Sequence, residues 1–178
     1  RLAGPVFGLL AVLVMLAIRY SAAIAAKSGW SPARLLVIAA IGTGVAGMFI
    51  PEVLGLGTSA LSSILDGGFN MAYLLLLLVA KLVLTALCIG FGLFGGVFSP
   101  ALFVGAAAGA VMGQIMVGVM GFGSMIALSI CGMAAVASAV IGAPVAGVLI
   151  ILELTMNYDF ALVAMISVVA SIMVTNLV

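Results

Sequence analysis

Between Lys81 and Glu153 the chain carries no charged side chain at all. A soluble domain needs a polar surface, and a stretch of that length without one cannot supply it. The rest of the chain repeats the pattern. Of 178 residues, 67% are hydrophobic and 5% charged, against about 25% charged in an ordinary soluble domain. A water-soluble enzyme is therefore set aside, and no catalytic residue is expected. A net charge of +1 gives no electrostatic footprint for nucleic acid. The remaining class is an integral, multi-pass membrane protein. A membrane helix takes about 20 apolar residues, so the chain has room for roughly five to seven hydrophobic segments and no sizeable aqueous domain.

The chemistry is narrowed further by the absence of His and the presence of only two Cys. Zinc sites normally draw on His and Cys at short spacing. Cys88 and Cys131 lie far apart, each in an apolar run, and read as small buried hydrophobes. No metal and no cofactor is expected. The eleven Met are spread along the apolar runs and read as packing. The chain opens on Arg1 without Met and closes on Val178 inside an apolar run. Both ends read as cuts in a larger membrane protein.

Apolar runs cover about residues 2–26, 35–50, 71–89, 101–120, 125–141, 145–152 and 160–178. Residues 51–70 differ, holding Glu52, Asp66 and several Ser and Gly. They read as a loop with a short amphipathic or re-entrant helix. Lys27 and Arg34 flank one short loop, with Arg19 nearby, which places that loop on the cytoplasmic side. The breaks at residues 90–100 and 142–144 fall inside otherwise apolar chain. In lipid every backbone N–H and C=O must be satisfied, so a broken helix is tolerated only inside protein or beside a cavity. In transporters such broken helices tend to end at the midplane, facing the substrate. Ordinary Gly and Pro punctuation of a kinked bundle gives the same breaks.

Gly95-Gly96-Val97-Phe98-Ser99-Pro100 is the most informative segment. Ser99 suits an N-cap and Pro100 the first helical position, where no N–H is needed. Gly95 and Gly96 leave the preceding backbone free to turn and expose its amides. Unpaired N–H groups at a helix N-terminus make an anion site. A helix end carries about half a positive charge. At about 4 Å and an effective dielectric near 20, half a charge attracts an anion by about 2 kcal/mol, weak enough to release it as conduction requires. The plainer reading is a capped helix with Gly for packing. Behind this segment, Gly105, Gly109 and Gly113 fall on one helix face and suit close helix packing.

These residues match a family. Residues 90–100 resemble the third selectivity-filter motif of the CLC chloride channel and transporter family, G-x-F-x-P. Gly132-Met133-Ala134-Ala135, Gly142-Ala143-Pro144-Val145-Ala146-Gly147 and Leu152-Glu153-Leu154-Thr155 resemble its next signature. Pro51-Glu52-Val53-Leu54-Gly55-Leu56-Gly57 resembles its P-E-x-x-G-x-G loop. The motifs fall in family order and cover essentially the whole chain. The fold implied is all-α, with tilted, broken and re-entrant helices. It is half of the family's inverted-repeat architecture: residues 1–178 as the second half of the membrane domain without its last helix.

The resemblance implies transport of chloride or a similar anion, as a channel or a proton-coupled antiporter. The anion is held by the backbone amides of Val97 and Phe98, with Gly96, Ser99 and Pro100 completing the filter motif. Chloride would be cargo, not cofactor. The expected partners are the anion, the lipid bilayer of a bacterial-type plasma membrane, and a second copy of the full-length protein. The helices over residues 144–153 and 160–178 would lie at the subunit interface. The family's gating Glu and other filter parts would lie outside this chain. The alternative is a non-transporting membrane scaffold or oligomerisation module. Glu153, at a helix end beside Thr155 and Asn157, reads as a structural, interface-level acid. Lys81 and Arg19 are expected to snorkel toward an interface, and Tyr158 suits the membrane surface.

Overall fold

The computed structural model describes residues 3–54, 58–93, 95–120, 124–155 and 161–176. All regular structure among them is helical. Two long helices come first, α1 (Ala3–Lys27) and α2 (Pro32–Phe49), then a 3-10 turn at Pro51–Val53 and the short α3 (Thr58–Leu65). The chain continues through α4 (Met71–Gly90), α5 (Phe98–Met120), α6 (Met125–Ile141), α7 (Pro144–Thr155) and α8 (Ala161–Thr175). This is the all-α polytopic architecture that the charge pattern demands.

Local chemistry sets the helix ends. Pro32 opens α2 where its missing N–H costs nothing. Asn70 starts α4, its side-chain oxygen accepting the Met71 N–H at 2.8 Å. Ser124 caps α6 by accepting the Ala127 N–H at 3.3 Å. Gly142 ends α6 in the left-handed conformation, φ 75°, with its N–H on the Ser138 carbonyl. A residue with a Cβ is strained there, and Pro144 then starts α7.

Among the described residues, four helices are long and apolar enough to cross a membrane: Gly4–Ser28, Pro32–Phe49, Met71–Gly90 and Phe98–Gly118. At 1.5 Å per residue the 17 residues of α6 extend about 25 Å, short of the roughly 30 Å hydrocarbon core. This helix lies within protein. Residues 129–139 of α6 are all buried, as are residues 101–111 of α5. These two helices form the centre of the molecule, with α1 and α8 against α6 and α4 against α5.

Glycine lets the two central helices meet. A Cβ at Gly105 would strike the Gly132 carbonyl, one at Gly109 the Leu128 carbonyl, and one at Gly113 the Met125 backbone. The three glycines therefore all face α6. Ser171 of α8 donates to the Ala135 carbonyl of α6 at 3.2 Å, a polar tie inside an apolar contact. Gln114 of α5 donates to the Phe69 carbonyl at 2.9 Å and so anchors the loop ahead of α4.

Candidate functional site

The break between α4 and α5 is a tight turn followed by an extended approach. Phe91 and Leu93 close the end of α4 through N–H bonds to Leu87 and Cys88 carbonyls, at 3.0 and 2.9 Å. Gly92 stands at φ +87°, which makes it the glycine that the turn requires. Gly95 and Gly96 do not have positive φ, and a Cβ on either would meet nothing within 4 Å. The turn thus depends on Gly92, while Gly95 and Gly96 border open space.

Helix α5 begins at Phe98, two residues ahead of the start that Ser99 and Pro100 suggest. The Val97 carbonyl accepts the Ala101 N–H at 3.1 Å, so Val97 occupies the N-cap position and Phe98 the first helical position. Pro100 becomes the third helical residue, and Ser99 lies inside the first turn, not at the cap. The physical reason is that the first N–H groups of any helix lack an intrahelical acceptor. Pro is therefore tolerated anywhere in the first turn. Val97 and Phe98, the two expected amide donors, stand at the edge where the helix dipole is most positive.

Beside this helix start lies a cavity of about 170 Å³. Gly95, Gly96 and Pro100 line one side of it. Lys81, Leu84, Thr85, Cys88 and Ile89 of α4 line another, and Thr43 of α2 with Val53 and Leu54 closes it. A single water needs only about 10–15 Å³ of such space, so the cavity has room for a small ion together with water.

One face of α4 turns toward this cavity and carries a seam of polar contacts. Tyr73 donates from its hydroxyl to Glu52 Oε2 at 2.9 Å. Two helical turns on, Lys81 Nζ donates to the Val53 carbonyl at 2.6 Å and lies 5.2 Å from the centre of the Phe103 ring. Further along, Cys88 Sγ and Thr43 Oγ1 share a hydrogen bond at 3.1 Å. Residues spaced by three, four and their multiples share a helix face, which is how these contacts form one line.

Two expectations change here. Lys81 does not snorkel to an interface; it is 3% exposed. The Pro51–Val53 turn and the Phe103 ring receive its head group inside the protein, which is a nearer destination than the membrane surface. Cys88 is half-buried and lines the cavity, whereas Cys131 is buried in α6. Both are free thiols. Lys81, Thr43, Cys88 and Val53 are thus site residues that the motif alone does not mark. A signal for two of them was present: Lys81 and Cys88 fall at i and i+7 on one helical face, with the cavity-lining Thr85 at i+4 between them.

The other expected positions are less central. Arg19 is exposed and Glu153 is exposed, so neither is enclosed in this cavity. Gly55, Leu56, Gly57, Asn157, Tyr158 and Asp159 lie outside the described residues. Among the described residues no group of three or more His, Cys, Asp or Glu side chains could hold a metal.

The sequence model of the family described as "Voltage gated chloride channel" matches residues 1–176. The chain belongs to the voltage-gated chloride channel, or CLC, family, a family of integral membrane proteins. Three relatives are each named "H(+)/Cl(-) exchange transporter ClcA". One, from Vibrio cholerae serotype O1 (strain M66-2), is 35% identical over 119 residues, which is 65% of this chain and 25% of that protein. One from Vibrio parahaemolyticus is 29% identical over 150 residues, or 81% of this chain and 32% of the relative. One from Vibrio campbellii is 30% identical over 157 residues, with the same two shares of 81% and 32%. The chain therefore spans a quarter to a third of these relatives' length.

Proposed function

We propose that this chain forms one wall of the anion pathway in a proton-coupled chloride transporter. The observation that carries the reading is the start of α5. Pro100 in its first turn, with Gly95 and Gly96 just ahead of it, all within the segment matching the family's G-x-F-x-P motif, lines the cavity, and Val97 and Phe98 lie between them in the chain. The Val97 and Phe98 amides are the anion's donors in this account, and the partial positive charge of the helix end attracts it by about 2 kcal/mol. Amide dipoles bind weakly enough for the ion to move on. Open space beside Gly95 and Gly96 lets the ion approach the backbone without meeting a side chain.

The name of these relatives, H(+)/Cl(-) exchange transporter, favours coupled exchange over a simple channel. Chloride is the cargo, and no resident cofactor is needed. The full-length protein works as a homodimer in the plasma membrane of a bacterial-type cell. The exposed apolar side chains of α7 and α8, Val145, Leu149, Leu162 and Ile166 among them, suit that subunit contact as the family resemblance implies.

The test is chloride flux by the full-length protein in liposomes. One added residue beside Phe98, or replacement of Pro100, displaces the amides at the start of α5. Flux or the ranking of anions should then change. Wild-type flux and selectivity in both variants would reject the site.

A further inference from the structure

The chain's charge is unevenly placed. Four of its five basic residues, Arg1, Arg19, Lys27 and Arg34, precede Glu52, the first of its four acidic ones. Lys27 ends α1 and Arg34 stands in the first turn of α2, with only residues 28–31 between the two helices. Both helices are long and apolar enough to span a membrane, so this loop lies where hydrocarbon meets headgroups. Its shape is set locally. Ser28 donates from its hydroxyl to the Ala25 carbonyl at 2.8 Å and accepts the Trp30 N–H at 3.4 Å, while Gly29 turns the chain at φ +63°. Trp30 is thereby placed just ahead of α2.

Trp30, Ala33, Arg34, Val37 and Ile38 line one open groove of about 560 Å³, as residues three, four, seven and eight apart on a helix share a face. Leu35 and Ala39 are the buried residues of this part of α2. The groove lies on the outer face, where Trp30 is 53% and Val37 56% exposed. Tryptophan concentrates at membrane–water interfaces, and a guanidinium pairs bidentately with phosphate. The groove therefore runs from a cation and an indole at the loop to aliphatic side chains one turn into the span. A phospholipid presents the matching chemistry in the same order, from headgroup to acyl chain.

We propose that this groove binds one anionic glycerophospholipid of the surrounding bilayer. Its phosphate meets Arg34 and Lys27, its glycerol region rests against Trp30, and an acyl chain follows Val37 and Ile38. Charge selects this occupant: both cations flank the loop, and no acidic residue lies in the sequence before Glu52, which follows the opposite end of α2.

The test is native mass spectrometry of the delipidated full-length protein in detergent, titrated with phosphatidylglycerol. Wild type is compared with K27Q, R34Q and the double variant. Each lost cation should weaken one phosphatidylglycerol site about fivefold, and both together about 25-fold, as expected of a basic residue beside an anionic membrane surface. Wild type should bind phosphatidylcholine at least about tenfold more weakly at that site. Glycerol phosphate, which lacks acyl chains, should not displace the lipid. Thermal midpoints should stay at wild type, because Lys27 and Arg34 are exposed. Equal phosphatidylglycerol affinity in wild type and the double variant would overturn the proposal, and a lowered midpoint alongside it would assign the groove to another segment of the full-length protein. Equal binding of the two lipids would also overturn it, leaving an unselective lipid contact. Displacement by glycerol phosphate would do so in favour of a soluble phosphate.

Discussion

The Tyr73 hydroxyl donates to Glu52 Oε2 at 2.9 Å and so ties α4 to the Pro51–Val53 turn. The same turn offers the Val53 carbonyl to Lys81 and the Val53 and Leu54 side chains to the cavity. Its position therefore sets one wall of the cavity. Leu54 also fits against Gly47 of α2, where a Cβ would collide with its side chain. Three contacts, two polar and one steric, hold a segment only a few residues long.

Y73F removes the donor and leaves the carboxylate without that partner. Hydrogen bonds to charged groups contribute about 1.5–3 kcal/mol, and Glu52 is only half-buried, so the lower end applies, about 1.5 kcal/mol. Thermal unfolding of the detergent-purified full-length protein should show a lower midpoint in Y73F. An unchanged midpoint would mean that the turn is held without this bond.

Gly109 faces the Leu128 backbone so closely that a methyl group cannot fit. G109A must push α5 away from α6, and overpacking of this kind costs about 1–3 kcal/mol. G118A, where a Cβ meets nothing within 4 Å, should have no such effect. The thermal midpoints of the two variants give the comparison. Equal stability would show that α5 and α6 do not meet at Gly109.

Gly92 and Gly95 separate backbone strain from cavity shape. At φ +87°, an alanine at position 92 meets a conformational cost of about 1–2 kcal/mol. G95A has no such cost, and its methyl group points into open space. We expect G92A to lower stability. G95A should keep wild-type stability yet reduce chloride flux, since it narrows the cavity beside the α5 amides. A G95A protein with full flux would place the ion elsewhere.

Cys88 lines the cavity while Cys131 is buried in α6. An anionic methanethiosulfonate reagent should therefore react at Cys88 and slow chloride flux by adding negative charge to the anion's path. C88S should abolish that sensitivity. Persistence of the inhibition in C88S would assign it to another thiol.

The helical architecture and the two chain breaks are legible in the sequence because they follow from local chemistry. Gly and Pro end apolar runs at residues 90–100 and 142–144 whatever surrounds them, and Asn70 and Ser124 cap helices with their own side chains. The filter motif marks the α5 start for the same reason. The two-residue shift in that start, from Ser99 to Val97 as N-cap, is less legible. Ser and Pro are acceptable throughout a first turn, so only the backbone bond from Ala101 to Val97 resolves it. The partner of Lys81 is not legible at all, although its helical face is. Its destination is a carbonyl 28 residues away in the chain, and composition alone would send a lone lysine to the membrane surface. Cys88 is similar, since its partner Thr43 lies in a helix that meets α4 only through tertiary packing. The charge-free stretch beyond Lys81 suggests an anion held by backbone dipoles; the folded chain also places the Lys81 side chain in the wall of the same cavity.

The amides opening α5 are expected to bind the transported anion. Anomalous diffraction from crystals of the full-length protein grown with bromide in place of chloride tests it most directly. A bromide peak is expected within hydrogen-bonding distance of the Val97 and Phe98 nitrogens, beside the cavity that Lys81 lines. A transport-competent protein whose bromide peaks all lie away from those two amides would contradict it.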